Sequence, residues 1–412
     1  MAQSHPSPVE RDLRSILIVQ ALRALAYGFA SVVLGTALAA GGLSDTQVGL
    51  VFTAMLAGNA LVSIWVGTAG DRVGRRRLYG ILLGAMGVAG GVYAFADSFP
   101  VLAVVALSGT LSTDPNESGP ITSLEQAMMG GAPASARARV FGRYNAVAYL
   151  AGAMGALAAG GPALLRRTLP HIPPDQRWLL LFPLVAIVCV TLTTRLSSSV
   201  ETETPAVRPL ERSRSNVARL AALFGLDAFA GGFVVSTFVA FWFTRRFGAA
   251  TETMAAVLFA TGLLQAGSSI VSGRLAGRIG LLNTMVFTHL PSNLLLAAVP
   301  LMPSLGSAIA MLLLRSTLSQ MDVPARQAFV VSMVDPQERT AAAAYTNTAR
   351  YLVRPFGAAS AGVLMQRVAV GAPFVLAGAL KAAYDLALYL AFRHVRLPEE
   401  DEREATPPRP AR

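Results

Sequence analysis

The chain has 412 residues, of which 53% are hydrophobic and only 14% charged, and its mean hydropathy is +0.52. Soluble globular chains carry roughly 25% charged residues, so this chain cannot cover a water-facing surface of its size, and lipid is its solvent over most of its length. The net charge of +11 does not point to nucleic acid, because the basic residues are scattered through short loops and form no stripe interleaved with aromatics.

Residues 1–14 form a polar tail with Glu10, Arg11, Asp12 and Arg14. It has no short apolar core followed by a small-residue cleavage site, so no cleaved signal peptide is expected. Apolar stretches long enough to span a bilayer then follow at 15–40, 46–70, 78–96, 99–129, 140–165, 178–196, 217–244, 252–273, 282–302, 305–331, 340–366 and 371–393. The expected fold is therefore an all-α integral membrane protein with twelve transmembrane helices. Residues 197–216, with Glu201, Glu203, Pro205, Pro209 and Arg212, read as a flexible linker between a bundle over 15–196 and one over 217–396. The tail 397–412 is charged and proline-rich and reads as disordered.

Arginines set the orientation. With the N-terminus inside, Arg72, Arg75, Arg76, Arg77, Arg137, Arg139, Arg143, Arg274, Arg278 and Arg339 fall on the cytoplasmic side, whereas Arg166, Arg167, Arg177, Arg245, Arg246 and Arg367 fall opposite. The excess of positive charge marks the inside, so both termini are expected in the cytoplasm. Lys381 is the only lysine among 34 basic residues, and this arginine bias in an alanine-rich chain suggests a GC-rich bacterial genome; the expected location is the bacterial inner membrane. Cys189 is the only cysteine, which rules out an internal disulfide and a cysteine-based metal site. No nucleophile–base pair, metal-ligand cluster or phosphate-cradling loop is visible. The expectation is a monomeric membrane protein that is not an enzyme and needs no metal or cofactor.

The two halves repeat. Residues 22–29 align with 226–233 at an offset of 204, Gly67, Arg72 and Gly74 align with Gly273, Arg278 and Gly280 at 206, and Arg137, Asn145, Gly155 and Gly160 align with Arg339, Asn347, Gly357 and Gly362 at 202. Matches that keep their order at nearly one offset indicate duplication, a feature of transporter folds.

Between the second and third stretches runs Gly67-Thr-Ala-Gly-Asp71-Arg72-Val-Gly74-Arg75-Arg76-Arg77. It matches G-x-x-x-D-[RK]-x-G-[RK]-[RK] at every defined position. With twelve expected spans and an internal repeat, the chain resembles the major facilitator superfamily over about residues 10–395. The resemblance implies two pseudo-symmetric six-helix bundles and secondary transport of a small molecule by alternating access. It implies that Asp71 latches the cytoplasmic gate against the start of helix 11, where this chain offers Glu338 and Arg339. The alternative is that Arg72, Arg75, Arg76 and Arg77 only enforce topology. The second copy has Gly277 in place of the aspartate, so an asymmetric latch is expected.

A charge at membrane depth normally faces a cavity or a partner, and the resemblance implies a cavity lined by helices 1, 4, 7 and 10. Arg23 and Asp227 occupy equivalent repeat positions on helices 1 and 7 and are expected to meet as an ion pair across the pseudo-two-fold axis. Helix 4 carries Asp114, Pro115, Asn116, Glu117 and Pro120, too polar for a lipid-facing helix, and reads as broken beside a water-filled space. Helix 10 answers with Arg315, Gln320, Asp322, Pro324 and Arg326. Asp114, Glu117 and Arg315 are cavity candidates, whereas Glu125, Asp322 and Arg326 are expected nearer the cytoplasmic end as gate salt bridges. Lys381 and Asp385 are four residues apart and read as a local structural pair. Arg350 and Arg354 need carboxylates from another helix, with helix 10 the candidate. His289 reads as a structural hydrogen-bonding residue.

Two directions are compatible with these residues. Proton-coupled efflux follows from the drug-exporter-like character of the resemblance, although Gly161-Pro162 lies at the far end of helix 5, away from the mid-helix place such exporters use. Proton-coupled uptake of an organic anion is suggested by Arg23 and Arg315. The expected partners are thus a small-molecule substrate, the proton and membrane lipid.

Overall fold

Glycines and prolines punctuate the apolar stretches, and the helices start and stop on them. In the computed structural model the described residues are 8–112, 119–129, 134–169, 171–201, 211, 213–334 and 338–395; the side chains of 8–9, 67–72, 134–142, 199, 331, 339 and 340 lie outside that description. The α-helices are α1 (Pro8–Ala40), α2 (Asp45–Val73), α3 (Arg75–Tyr93), α4 (Phe99–Ala106), α5 (Pro120–Met129), α6 (Ala134–Ala158), α7 (Gly161–Arg166) and α8 (Leu181–Thr193). They continue as α9 (Arg214–Gly232), α10 (Ser236–Phe247), α11 (Thr251–Ile279), α12 (Leu281–Ala298), α13 (Leu305–Ser316), α14 (Asp322–Ser332), α15 (Arg339–Arg367) and α16 (Ala372–Phe392). Among the described residues there is no strand.

Eight helical stretches among the described residues are long and apolar enough to cross a membrane. The other four expected stretches are helical as well, but are broken or carry charge. The stretches at 99–129 and 305–331 each split into two helices, α4–α5 and α13–α14. The stretch at 78–96 becomes α3, which begins on Arg75, Arg76 and Arg77. That at 340–366 becomes α15, which carries Arg350 and Arg354 mid-helix.

The repeat is visible in the backbone. Gly74 separates α2 from α3 at φ +90°, and its repeat mate Gly280 separates α11 from α12 at φ +86°. Both lie in the region that only glycine occupies without strain, so a one-residue turn joins long helices in each half. Close helix crossings repeat as well. A Cβ on Gly155 of α6 would lie 1.9 Å from the Leu25 carbonyl oxygen of α1, and one on Gly357 of α15 would lie 2.0 Å from the Phe229 carbonyl oxygen of α9. Small residues let backbones approach to this distance, and within lipid such packing is a main source of helix association.

Contacts between the halves run along α2–α15, α6–α11 and α1–α10. At one end they are dense. Thr46 bonds to Gln366, Arg167 pairs with Glu252, the Thr251 hydroxyl donates to Asp175 Oδ2 at 2.9 Å, and Arg245 lies 3.8 Å from Asp45. Below that end, Phe52 of α2 meets Phe238 of α10 edge-on at 6.5 Å.

Candidate functional site

The breaks in the fourth, seventh and tenth stretches free the backbone to bend around polar side chains. In the tenth, α13 stops at Ser316, residues 317–321 form turns, and α14 starts at Asp322 with Pro324 in its first turn. A break at membrane depth needs partners for its backbone groups. Two serines of α11 supply them: Ser268 Oγ accepts from the Gln320 amide at 3.3 Å, and Ser272 Oγ donates to the Met321 carbonyl at 2.5 Å. In the fourth, α4 ends in a turn through Gly109 at φ +64°, where a Cβ would lie 2.3 Å from the Gly58 carbonyl oxygen. There α5 restarts on Pro120, whose missing amide is harmless at a helix start. Asp114 and Glu117 lie outside the described residues.

Around the tenth-stretch break lies a cavity of about 350 Å³. At its base Asp227 of α9, only 3% exposed, holds three cations from three different helices. Lys381 Nζ of α16 lies 2.5 Å from Oδ1, while Arg326 Nη1 of α14 and Arg350 Nη1 of α15 each lie 3.2 Å from Oδ2. Arg326 also bonds to Asp322 Oδ2 one turn away, at 3.2 Å. His289 of α12 brings Nε2 to 4.0 Å from Asp227 Oδ1. Its Nδ1 lies 2.8 Å from Asp385 Oδ1, and the Asn293 amide donates to Asp385 Oδ2 at 2.9 Å. Arg315 and Arg354 complete the cationic lining, and Tyr149 reaches in from α6 to donate to Gln320 Oε1 at 3.2 Å. Among the described residues the wall therefore carries five cationic side chains, Arg315, Arg326, Arg350, Arg354 and Lys381, against two carboxylates, Asp227 and Asp322.

The first half holds a second buried cluster, which does not line this cavity. Arg23 of α1 meets Glu125 of α5 at 2.6 Å, the two side chains being 3% and 0% exposed. Arg23 also reaches the Thr122 hydroxyl at 3.1 Å and Gln20. The Tyr79 hydroxyl donates to Glu125 Oε1 at 2.7 Å, and Tyr144 bonds to the other carboxylate oxygen. This is a buried polar network inside one bundle, in which each charge has an opposite partner and further hydrogen bonds, with Arg23 Nε alone of its atoms left without one.

Several sequence expectations are corrected here. Arg23 and Asp227 do not pair with each other: Arg23 turns to Glu125 within its own half, and Asp227 to the cations of its own. Glu125 is the counterion of Arg23, within the first half. Asp322 and Arg326 line the cavity, because the break before α14 turns that helix's first residues inward. Lys381 and Asp385 separate despite their helical spacing, since Asp227 draws the lysine and His289 the carboxylate. Arg350 takes its carboxylate from α9, not from helix 10. The repeat still explains the layout. Each half ties its first stretch to its fourth by an ion pair, Arg23–Glu125 and Asp227–Arg326, with the signs reversed.

At the opposite end from the dense inter-half contacts, the described part of the loop motif between α2 and α3 is Gly74, Arg75 and Arg76; Gly67, Asp71 and Arg72 are described in their backbone alone. Glu201 caps the start of α3, accepting from the amides of Arg75 at 2.7 Å and Arg76 at 3.0 Å. A carboxylate at a helix N-terminus satisfies orphan amides and the helix dipole together. Glu338 does similar work by accepting from the amides of Glu211 at 2.7 Å and Ser213 at 3.1 Å, at the start of α9. Arg339 is described in its backbone alone. The capping role of Glu201 has only a faint sequence signal, an acidic residue just past the sixth stretch. Among the described residues no group of three His, Cys, Asp or Glu side chains could hold a metal ion.

The model of the Major Facilitator Superfamily matches residues 16–358. A membrane protein of Saccharomyces cerevisiae, itself uncharacterised, is 26% identical over 421 residues, covering 93% of this chain and 94% of the relative. Among solved structures, the nucleoside transporter NupG superposes with a TM-score of 0.72 at 11% identity, over 92% of this chain and 99% of the other. The human organic anion transporter TETRAN superposes with a TM-score of 0.64 at 18% identity, over 93% and 100%. At these identities the structural likeness is one of fold.

Proposed function

The chain belongs to the Major Facilitator Superfamily, and on that footing we propose that it is a secondary transporter of a small organic anion, working by alternating access with the proton as coupling ion. One observation carries the anion: among the described residues, five cationic side chains stand against two carboxylates around the cavity. In a low-dielectric site that surplus attracts anions and repels cations far more strongly than it would in water. The sequence favoured proton-coupled efflux; the lining favours an anion whichever way it travels. The likeness in fold to an organic anion transporter agrees with this reading.

In this reading the bundles over 15–196 and 217–396 rock against each other, and Asp71, Arg72, Arg75 and Arg76 form the gate latch with Glu338 and Arg339. The arginine distribution supports cytoplasmic termini. The end closed by Thr46–Gln366 and Arg167–Glu252 then faces away from the cytoplasm. In this reading the transporting unit is a monomer.

The test is counterflow in reconstituted vesicles. Labelled succinate or citrate should exchange against the same unlabelled anion, and a quaternary ammonium compound should not. Exchange of the ammonium compound with none of the anions overturns the reading.

A further inference from the structure

We infer that His289 is the proton-binding group coupled to anion binding in this cavity, with Asp385 as its positioning residue; this rests on the anion reading of the site. The two imidazole nitrogens have different surroundings. Nδ1 lies 2.8 Å from Asp385 Oδ1 and 3.1 Å from the Asn293 amide nitrogen; with Asp385 ionised, a group that only accepts, Nδ1 is the nitrogen that carries a hydrogen. Asp385 is itself held through its other oxygen by the Asn293 amide at 2.9 Å. A carboxylate that fixes the tautomer of a histidine leaves the second nitrogen as the site of proton exchange. That nitrogen, Nε2, lies 4.0 Å from Asp227 Oδ1, the oxygen that Lys381 occupies at 2.5 Å, and His289 and Asp227 both line the cavity.

A proton arriving on Nε2 turns the 4.0 Å approach into an ion pair and makes imidazolium a competitor of Lys381 for Asp227. Lys381, Arg326 and Arg350 are then available to an incoming anion. Without the proton, Asp227 retains all three cations. Proton and anion therefore favour the same state, and each raises the affinity for the other by the same factor.

The charged and titratable groups around the ring come from five neighbouring helices. Among the described residues they are Lys381, Asp385 and Tyr384 of α16, the last with its ring centroid 6.0 Å away, Asp227 of α9, Asp322 and Arg326 of α14, Arg350 and Arg354 of α15 and Arg315 of α13. Five of these are cations and three are carboxylates, so an imidazolium adds to an existing positive surplus and strengthens the pull on an anion.

The test is equilibrium binding of benzene-1,3-disulfonate to the full chain in detergent, at pH 6 and pH 8. This probe is an anion at both values, so a pH effect comes from the protein. Wild-type affinity should fall about tenfold between the two, as expected when one histidine proton is linked to binding. Binding should also take up a proton from weakly buffered solution. His289→Gln should bind with the weaker affinity at both pH values. Asp385→Asn should keep the pH effect but move its midpoint to lower pH, because a neutral partner stabilises imidazolium less; this variant decides the matter should the glutamine variant not fold. Equal affinity of wild type at both pH values, an undiminished pH effect in His289→Gln, or an unmoved midpoint in Asp385→Asn overturns the inference and leaves the anion site standing. No saturable binding by wild type at either pH overturns both.

Discussion

Lys381 Nζ lies 2.5 Å from Asp227 Oδ1, across a gap of 154 residues, although Asp385 sits one helical turn away on its own helix. The buried Asp227 thus gathers Lys381, Arg326 and Arg350 and so joins α9, α14, α15 and α16 at one carboxylate.

Removing that carboxylate should be costly. Asp227→Ala leaves Lys381 and Arg350 facing each other and Arg326 with Asp322 alone. Breaking a buried ion pair by deleting one partner costs about 3–5 kcal/mol. Lys381→Met should cost less, because two arginines still neutralise Asp227. Thermal unfolding in detergent, read by loss of monodisperse protein on heating, ranks the two; a Lys381→Met variant less stable than Asp227→Ala would contradict this division of charge.

Arg23 and Glu125 should couple, and Arg23 and Asp227 should not. In a double-mutant cycle on thermal stability, Arg23→Ala with Glu125→Ala should be non-additive by about 0.5–3 kcal/mol, as is usual for contacting charges. The cycle joining Arg23→Ala to Asp227→Ala should add within about 0.5 kcal/mol. The reverse pattern would restore a pair across the pseudo-two-fold axis.

Gly155→Val and Gly357→Val should each damage one half by the same physics. Their new Cβ atoms would fall 1.9 Å and 2.0 Å from carbonyl oxygens of the facing helix, and neither backbone can yield without separating α1 from α6 or α9 from α15. Overpacking in a tight core typically costs about 1–3 kcal/mol, and contact with backbone puts these two at the upper end. Gly84→Ala, with nothing within 4 Å of the added carbon, is the control and should retain wild-type melting behaviour.

Asp71→Asn should leave the melting temperature of the protein unchanged while reducing transport at least about tenfold, since the proposed latch loses its charge and keeps its shape. Counterflow and thermal unfolding on the same preparation separate the two effects. Transport at the wild-type rate would leave the motif a topological signal alone.

The backbone was more legible than the charges. Turn glycines at 74 and 280, the crossings at Gly155 and Gly357 and the breaks before Pro120 and Pro324 all follow from local chemistry written twice in one chain. Partner choice was not legible, because it depends on how each helix is rotated about its axis. A spacing of four made Lys381 and Asp385 look like a pair. The lysine in fact faces α9, and the carboxylate faces the α12 histidine. His289 looked solitary for a similar reason: its carboxylate partners lie 62 and 96 residues away on other helices.

The one lysine of this arginine-rich chain stands inside the cavity, 8% exposed. Amine-directed chemistry, which in most proteins scatters over the surface, here converges on one side chain at the proposed binding site. An acylating or aldehyde reagent small enough to enter, and able to meet Lys381 as its free amine away from Asp227, would therefore report occupancy of the native protein directly. Protection of Lys381 by a bound compound could be read as a mass difference on a single peptide, with no engineered label and with the compound itself still unidentified.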